Sequence, residues 1–140
     1  MIVLDTNVVS ALMRREPDRA VIEWLDGVPA ESVWTTAVTV FEVRFGLALL
    51  VKSRRRRQLE EAFTRSLQEE LESRILPFDH SAAQAAGLMA AKLRRAGRSV
   101  EIRDTLIAGI VAARKATLAT RNTRHFEGID LKLVDPWSAR

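Results

Sequence analysis

A chain of 140 residues, 47% hydrophobic and 29% charged, has the size and composition of one soluble globular domain that can bury most of a single core. It has no cysteine, which excludes a disulfide framework and any thiolate metal site, and its 22 Lys and Arg against 18 Asp and Glu leave +4, a mild bias towards anionic partners. The opening MIVLDTN has neither the basic segment nor the apolar run of a secretory leader. The most apolar run, Phe45 to Val51, falls far short of the ~20 residues that span a bilayer, so a cytoplasmic protein without membrane association is expected.

Ile2 to Leu4 reads as a short buried strand, followed by a helix from about Val8 to Met13 that Pro17 interrupts. A second helix carries Val21, Trp24 and Leu25 on one face. Val33 to Thr35 is the second strand, and a third helix runs from about Val40 to Val51. Arg54 to Glu72 places Leu59, Phe63, Leu67 and Leu71 at four-residue spacing, an amphipathic helix whose apolar stripe serves packing or a subunit interface. Ile75 to Phe78 is the third strand. Asp79 or Ser81 caps the alanine-rich helix that ends near Gly97. A further helix covers about Ile102 to Lys115, before strands at Thr117 to Thr120 and Leu131 to Val134. Strands separated by helices of this length need parallel crossovers, so the expected fold is an α/β sheet with helices on both faces, residues 1–140 forming one domain. Ligands in such sheets gather at the carboxyl ends of the strands.

Three acids lie at such places. Asp5 directly follows the first strand and also suits a helix cap. Glu42 sits three residues after Thr39, a capping-box pattern, yet shares a helix stripe with Phe45, Gly46 and Leu49 that should pack inward. Asp104 lines up with Ile107, Ala108 and Val111, where a charge is costly unless an arginine pairs with it or a metal binds it. Glu101, one turn earlier, reads as a favourable first-turn acid. Three carboxylates about 5 Å apart, at an effective dielectric of ~20, repel by about 3 kcal/mol per pair. Three such pairs rival the whole stability of a small domain, about 5–15 kcal/mol, so acids that converge need a cation. With oxygen ligands and no His pair at ligand spacing, that cation is Mg²⁺ or Mn²⁺ rather than Zn²⁺. His80 and His125 read as isolated surface or turn residues. Basic blocks at Lys52 and Arg54 to Arg57, and at Lys92 to Arg98, read as solvated faces unless they meet a polyanion.

The stretches Ile2-Val3-Leu4-Asp5-Thr6-Asn7, Thr36 to Glu42, Asp104-Thr105-Leu106-Ile107-Ala108, Ala119 to Thr123 and Asp135-Pro136-Trp137 together resemble the PIN-domain toxins of the VapC group, in its FitB-like branch. The resemblance covers nearly the whole chain and rests on the order and spacing of these stretches, since an Asp-Thr-Asn tripeptide alone is weak. It implies a three-layer α/β/α sandwich with a mostly parallel sheet, and Mg²⁺-dependent ribonuclease activity in which Mn²⁺ can substitute. By position, Asp5, Glu42 and Asp104 become metal ligands, while Thr6, Asn7 and Thr120 orient Asp5 or contact the metal's waters. Many members carry a fourth acid where this sequence has Asn122, which puts a second tightly held metal in doubt; an amide oxygen can still serve a coordinated water. Arg121 and Arg124, with Arg54 and Arg55, are candidates to hold RNA phosphates. The resemblance also implies a type II toxin–antitoxin pair, with a DNA-binding antitoxin of the VapB or FitA kind, and a homodimer. Two other readings stand beside it. One is a catalytically inactive PIN-like module that binds nucleic acid or antitoxin. The other is a dehalogenase-type phosphatase, which wants a second Asp where Asn7 stands.

Overall fold

In the computed structural model, which describes residues 1–99 and 101–138, five short strands pair in parallel. β1 (Ile2–Leu4) is the middle strand. β2 (Val33–Thr36) and β3 (Ile75–Leu76) lie on one side of it, β4 (Thr117–Ala119) and β5 (Lys132–Val134) on the other. Ile2 stands opposite both Val33 and Thr117. Alternation along the strands sends Leu4, Val33 and Ala119 into one core and Val3, Leu76 and Leu118 into the other. Sheets covered on both faces favour strands with apolar residues on both sides, as in Ile2–Leu4.

Four helices serve the first core: α1 (Thr6–Leu12), α2 (Arg19–Asp26), α3 (Ala37–Leu49) and α4 (Arg54–Arg65), through Val8, Val9, Val21, Leu47 and Phe63. α5 (His80–Arg95) and α6 (Ile102–Ala113) serve the second through Ala82, Ile107, Ile110 and Val111. The result is the expected three-layer α/β/α sandwich. Among the described residues no helix is long and apolar enough to cross a membrane. The chain builds outward from β1 to β3, then returns to the other side of β1 for β4 and β5. The strand order therefore reverses between β1 and β4, and the crevice at their carboxyl ends falls beside Asp5 and Thr120.

Several boundaries differ from expectation because of caps. α1 begins at Thr6 rather than Val8, its first N–H taken by the Asp5 carboxylate at 2.8 Å. α3 begins at Ala37 rather than Val40, because the Thr36 hydroxyl accepts the Thr39 N–H at 3.0 Å. Thr39 is thereby inside the helix, and the expected Thr39–Glu42 capping box does not form. The face that α3 turns inward differs from expectation as well. Val38, Thr39, Val43 and Leu47 are buried, whereas Phe45 and Leu49, expected to point inward with Glu42, are 51% and 71% exposed. Asp79, not Ser81, caps α5. β3 ends at Leu76, just before Pro77, which lacks the N–H to extend the ladder. The stripe after Arg54 is core: Phe63, Leu67 and Leu71 are buried and Leu59 packs against them. α4 gives way to a wider turn at Ser66–Glu70, where the Leu71 N–H reaches the Ser66 carbonyl. Such a turn offsets the drift that a four-residue repeat accumulates on a helix of about 3.6 residues per turn.

α5 and α6 cross at Gly109. A Cβ there would stand 2.5 Å from the Ala82 carbonyl and 2.7 Å from the Ala86 Cβ, so the approach depends on the missing side chain. This crossing seats α6 against the second core, and with it Asp104 in its first turn.

Candidate active site

The site begins where β1 ends. Asp5 is buried, its backbone N–H bonded to the Ala119 carbonyl at the end of β4. Its Oδ1 accepts from the Thr6 N–H. Its Oδ2 accepts from the Thr120 hydroxyl at 2.7 Å and from the Asn7 amide at 3.3 Å. Thr120 also accepts from the Asn7 amide and from the Asn122 N–H, and Asn7 Oδ1 takes the Arg121 N–H. Both strand ends are thus tied together through one carboxylate.

Thr6 carries the network to α3. Its hydroxyl donates to Glu42 Oε1 at 3.1 Å. With its single proton so used, it accepts from the Thr39 hydroxyl, also at 3.1 Å. Glu42 Oε2 faces the Arg103 guanidinium at 3.8 Å.

Asp104 completes the group from α6. Its Oδ2 lies 2.9 Å from His125 Nδ1, in the 3₁₀ turn Thr123–Phe126 that follows β4. The imidazole expected to be isolated is therefore the partner of an acid, although it is exposed; His80, at the start of α5, is exposed as well. The sequence signal for His125 was its place three residues after Asn122, in the loop leaving the strand end beside Asp5. Glu101 is the cap of α6 rather than a first-turn acid: its Oε2 accepts the Asp104 N–H at 2.8 Å, and Arg103 Nε sits 3.4 Å from its Oε1.

Burial raises the pKa of all three acids above the usual carboxylate value. For Asp5 the Thr120 and Thr6 hydrogen bonds oppose the rise, and the charge of Asp104 adds to it. For Glu42 the Thr6 hydroxyl and Arg103 oppose it, while Asp5 and Asp104 add to it. For Asp104 the His125 hydrogen bond opposes it and Glu101 adds to it. The three carboxylates are thus electrostatic neighbours, which each disfavours in the others.

The remaining sequence candidates lie around this group. Asn122 is exposed at the head of the 3₁₀ turn, and its side chain does not cap that turn. The Arg121 guanidinium lies 4.7 Å over the Trp137 ring, and Trp137 in turn donates to Asp18. Arg124 is exposed in the same turn. Arg54 and Arg55 are exposed in the first turn of α4, where Arg56 pairs with Glu60.

Among the described residues no three His, Asp or Glu side chains are gathered closely enough to enclose an ion as they stand. Asp5 is held by its donors and Asp104 Oδ2 by His125. The donor set nevertheless suits a hard divalent cation, being all oxygen, buried or half-buried, and mutually repelling.

The family model of the PIN domain matches residues 2–131. The chain is 38% identical over 137 residues to the VapC ribonuclease Y4jK of Sinorhizobium fredii, covering 98% of each protein. It is 35% identical over 137 residues to the Toxin FitB of Neisseria gonorrhoeae, covering 98% of this chain and 99% of that one. A solved structure of FitAB bound to an IR36 DNA fragment superposes with a TM-score of 0.89 at 34% identity, covering all of this chain and 98% of the other.

Proposed function

Because the chain belongs to the PIN domain family, we propose that it is the ribonuclease toxin of a toxin–antitoxin pair, hydrolysing RNA phosphodiester bonds at Asp5, Glu42 and Asp104 with Mg²⁺ as cofactor. The observation that carries this reading is that three carboxylates, at the end of β1 and on α3 and α6, lie near enough for charge on one to raise the pKa of another, beside the reversal of strand order. The names of its relatives, a VapC ribonuclease and a toxin, point the same way.

Asp5 is the fixed member, since Thr120, Asn7 and the α1 N-terminus hold both its oxygens in place before any ligand arrives. Glu42 and Asp104, with side chains 19% and 23% exposed, would complete the set of oxygens that holds a cation. Mg²⁺, or Mn²⁺ in its place, supplies when bound the charge that polarises a phosphoryl oxygen and acidifies a water. Asp104 accepts the proton of the attacking water, being near the rim and raised in pKa. Arg124 and Arg121 hold phosphates beside the cut, and Arg54 and Arg55 extend the basic path. Asn122, exposed at the head of the 3₁₀ turn, would offer its amide oxygen to a water on that cation. A DNA-binding antitoxin of the VapB or FitA kind and a second copy of the chain are the partners this reading brings, supported by the DNA-bound FitAB likeness. A dehalogenase-type phosphatase is disfavoured, because Asn7 stands in place of its second aspartate and is committed to Asp5, Thr120 and Arg121.

The test is cleavage of RNA by pure, antitoxin-free protein with Mg²⁺. Asp5→Asn, Glu42→Gln and Asp104→Asn should each abolish cleavage and growth inhibition while thermal melts stay cooperative. Full activity in Asp104→Asn would sink the site, and a parent that binds RNA without cutting it would leave the inactive-module reading.

A further inference from the structure

Beside the acids, the end of α5, the start of α6 and the 3₁₀ turn border an open cavity of about 460 Å³, with Asp104 and His125 in its wall. Small-ligand sites run to roughly 300–1,000 Å³. Leu93 and Ile129 give the cavity apolar surface, and Arg98 and Glu101 line it with polar groups.

Arg98 gives the cavity its chemistry. Its backbone N–H is bonded to the Leu93 carbonyl at 3.0 Å, and its guanidinium lies against Gly128 so closely that a Cβ there would overlap Nη1. Gly128 also has φ +80°, a conformation other residues adopt with strain. The arginine is therefore seated rather than waving in solvent, and it is only half-exposed. Among the described residues no carboxylate stands within 4.0 Å of it. Glu101, in the same lining, is committed to the Asp104 N–H and to Arg103. A placed guanidinium without an acid partner offers its fork of N–H donors to a ligand.

We propose that this cavity is a nucleotide subsite, seating one base of the RNA strand next to the scissile phosphate, with Leu93 and Ile129 against the ring and Arg98 reading its edge. The inference rests on the ribonuclease reading above. Proteins that read RNA sequence do so mostly on single strands, whose bases splay into pockets of this kind. A phosphate is a poor occupant, because Asp104 and Glu101 present negative charge to it. A base carries no charge and offers an edge. Guanine presents two adjacent acceptors, O6 and N7, that match the guanidinium fork, whereas adenine places an amino donor where guanine has O6. The expected order is guanine before adenine.

Short single-stranded RNAs that differ only at the nucleotide flanking the cut test this. The parent should cleave the guanosine substrate about 10-fold or more faster in kcat/KM than the adenosine or 7-deazaguanosine substrates. Arg98→Gln should make the three substrates alike. Arg98→Lys, which keeps the charge without the fork, should hold the melting temperature and salt response yet lose the preference. A second readout needs no cleavage: guanosine 5′-monophosphate titrated into metal-free protein should shift amide resonances around Leu93, Arg98 and Ile129 in NMR spectra, with adenosine 5′-monophosphate weaker and Arg98→Gln insensitive to both. A parent that cuts RNA without regard to the flanking base and binds both nucleotides equally overturns the subsite. A parent that cuts no RNA counts against the function instead, and the nucleotide titration still decides the cavity.

Discussion

Asp5 and Asp104 belong to one cluster, but the fold holds them in opposite ways. Asp5 is 4% exposed and takes hydrogen bonds from Thr6, Asn7 and Thr120, because it stands where two adjacent strands end and both backbones are already fixed. Asp104 has a side chain 23% exposed and one side-chain partner, the imidazole of His125, itself 55% exposed. It projects from the first turn of a helix towards a surface turn. One carboxylate is placed before any ligand arrives, and the other retains freedom to meet it. The rigid end of such a site is built by the sheet, and the adaptable end by helix starts and loops.

The largest test of this contrast is Thr120→Val. It removes the 2.7 Å hydrogen bond to a buried carboxylate and also strips acceptors from Asn7 and the Asn122 N–H. A stability loss of about 1–3 kcal/mol is expected in denaturant melts. His125→Ala, at the open end, should stay within about 0.5 kcal/mol. Equal losses in the two variants would erase the distinction between the two ends.

The pH response comes next. Burial, with neighbouring acids, raises the pKa of Asp5, Glu42 and Asp104. A carboxyl group whose pKa is higher folded than unfolded binds its proton more tightly in the folded state. Its stabilising contribution is complete below the unfolded pKa, about 4, and is lost as pH rises through the folded value. Metal-free protein should therefore lose stability as pH climbs from that range towards neutrality, and Asp5→Asn should flatten the fall. Thermal melts in EDTA across this window check it; a parent curve parallel to that of Asp5→Asn would mean that Asp5 does not titrate in the folded protein as its burial requires.

Asn122→Asp probes the loop between the two ends and should have the smallest effect, because Asn122 is exposed. A fourth acid should tighten Mn²⁺ binding and lower the metal-free melting temperature slightly, since it adds a like charge to the cluster. Calorimetric titration and melts of both proteins measure this. If neither quantity changes, the side chain at 122 does not face the acids.

The sequence by itself determined the α/β class, the five strands, the place of Asp5 at the end of the first strand, and the apolar stripe of Phe63, Leu67 and Leu71, though not whether that stripe faces the core or a second subunit. Those features are written in local periodicity and in spacings a few residues long. Glu42, in the second turn of α3, and Asp104, on a helix that follows another helix, reach the site only through packing. The sequence also contained the caps, but the choice of Thr36 over Thr39 goes with a second strand that runs to Thr36, where it pairs with Leu76 of β3, and the face of α3 that packs inward, which leaves Phe45 and Leu49 in solvent, is set by tertiary packing. The resemblance implied that Thr120 would serve Asp5, 115 positions away, but only the tertiary structure decided that His125 would meet Asp104 across 21 and that Arg98 would settle against Gly128. Such contacts follow from strand order and from the rotation of helices packed on the sheet, and a hydrophobic pattern does not encode which polar groups will face one another once those layers close.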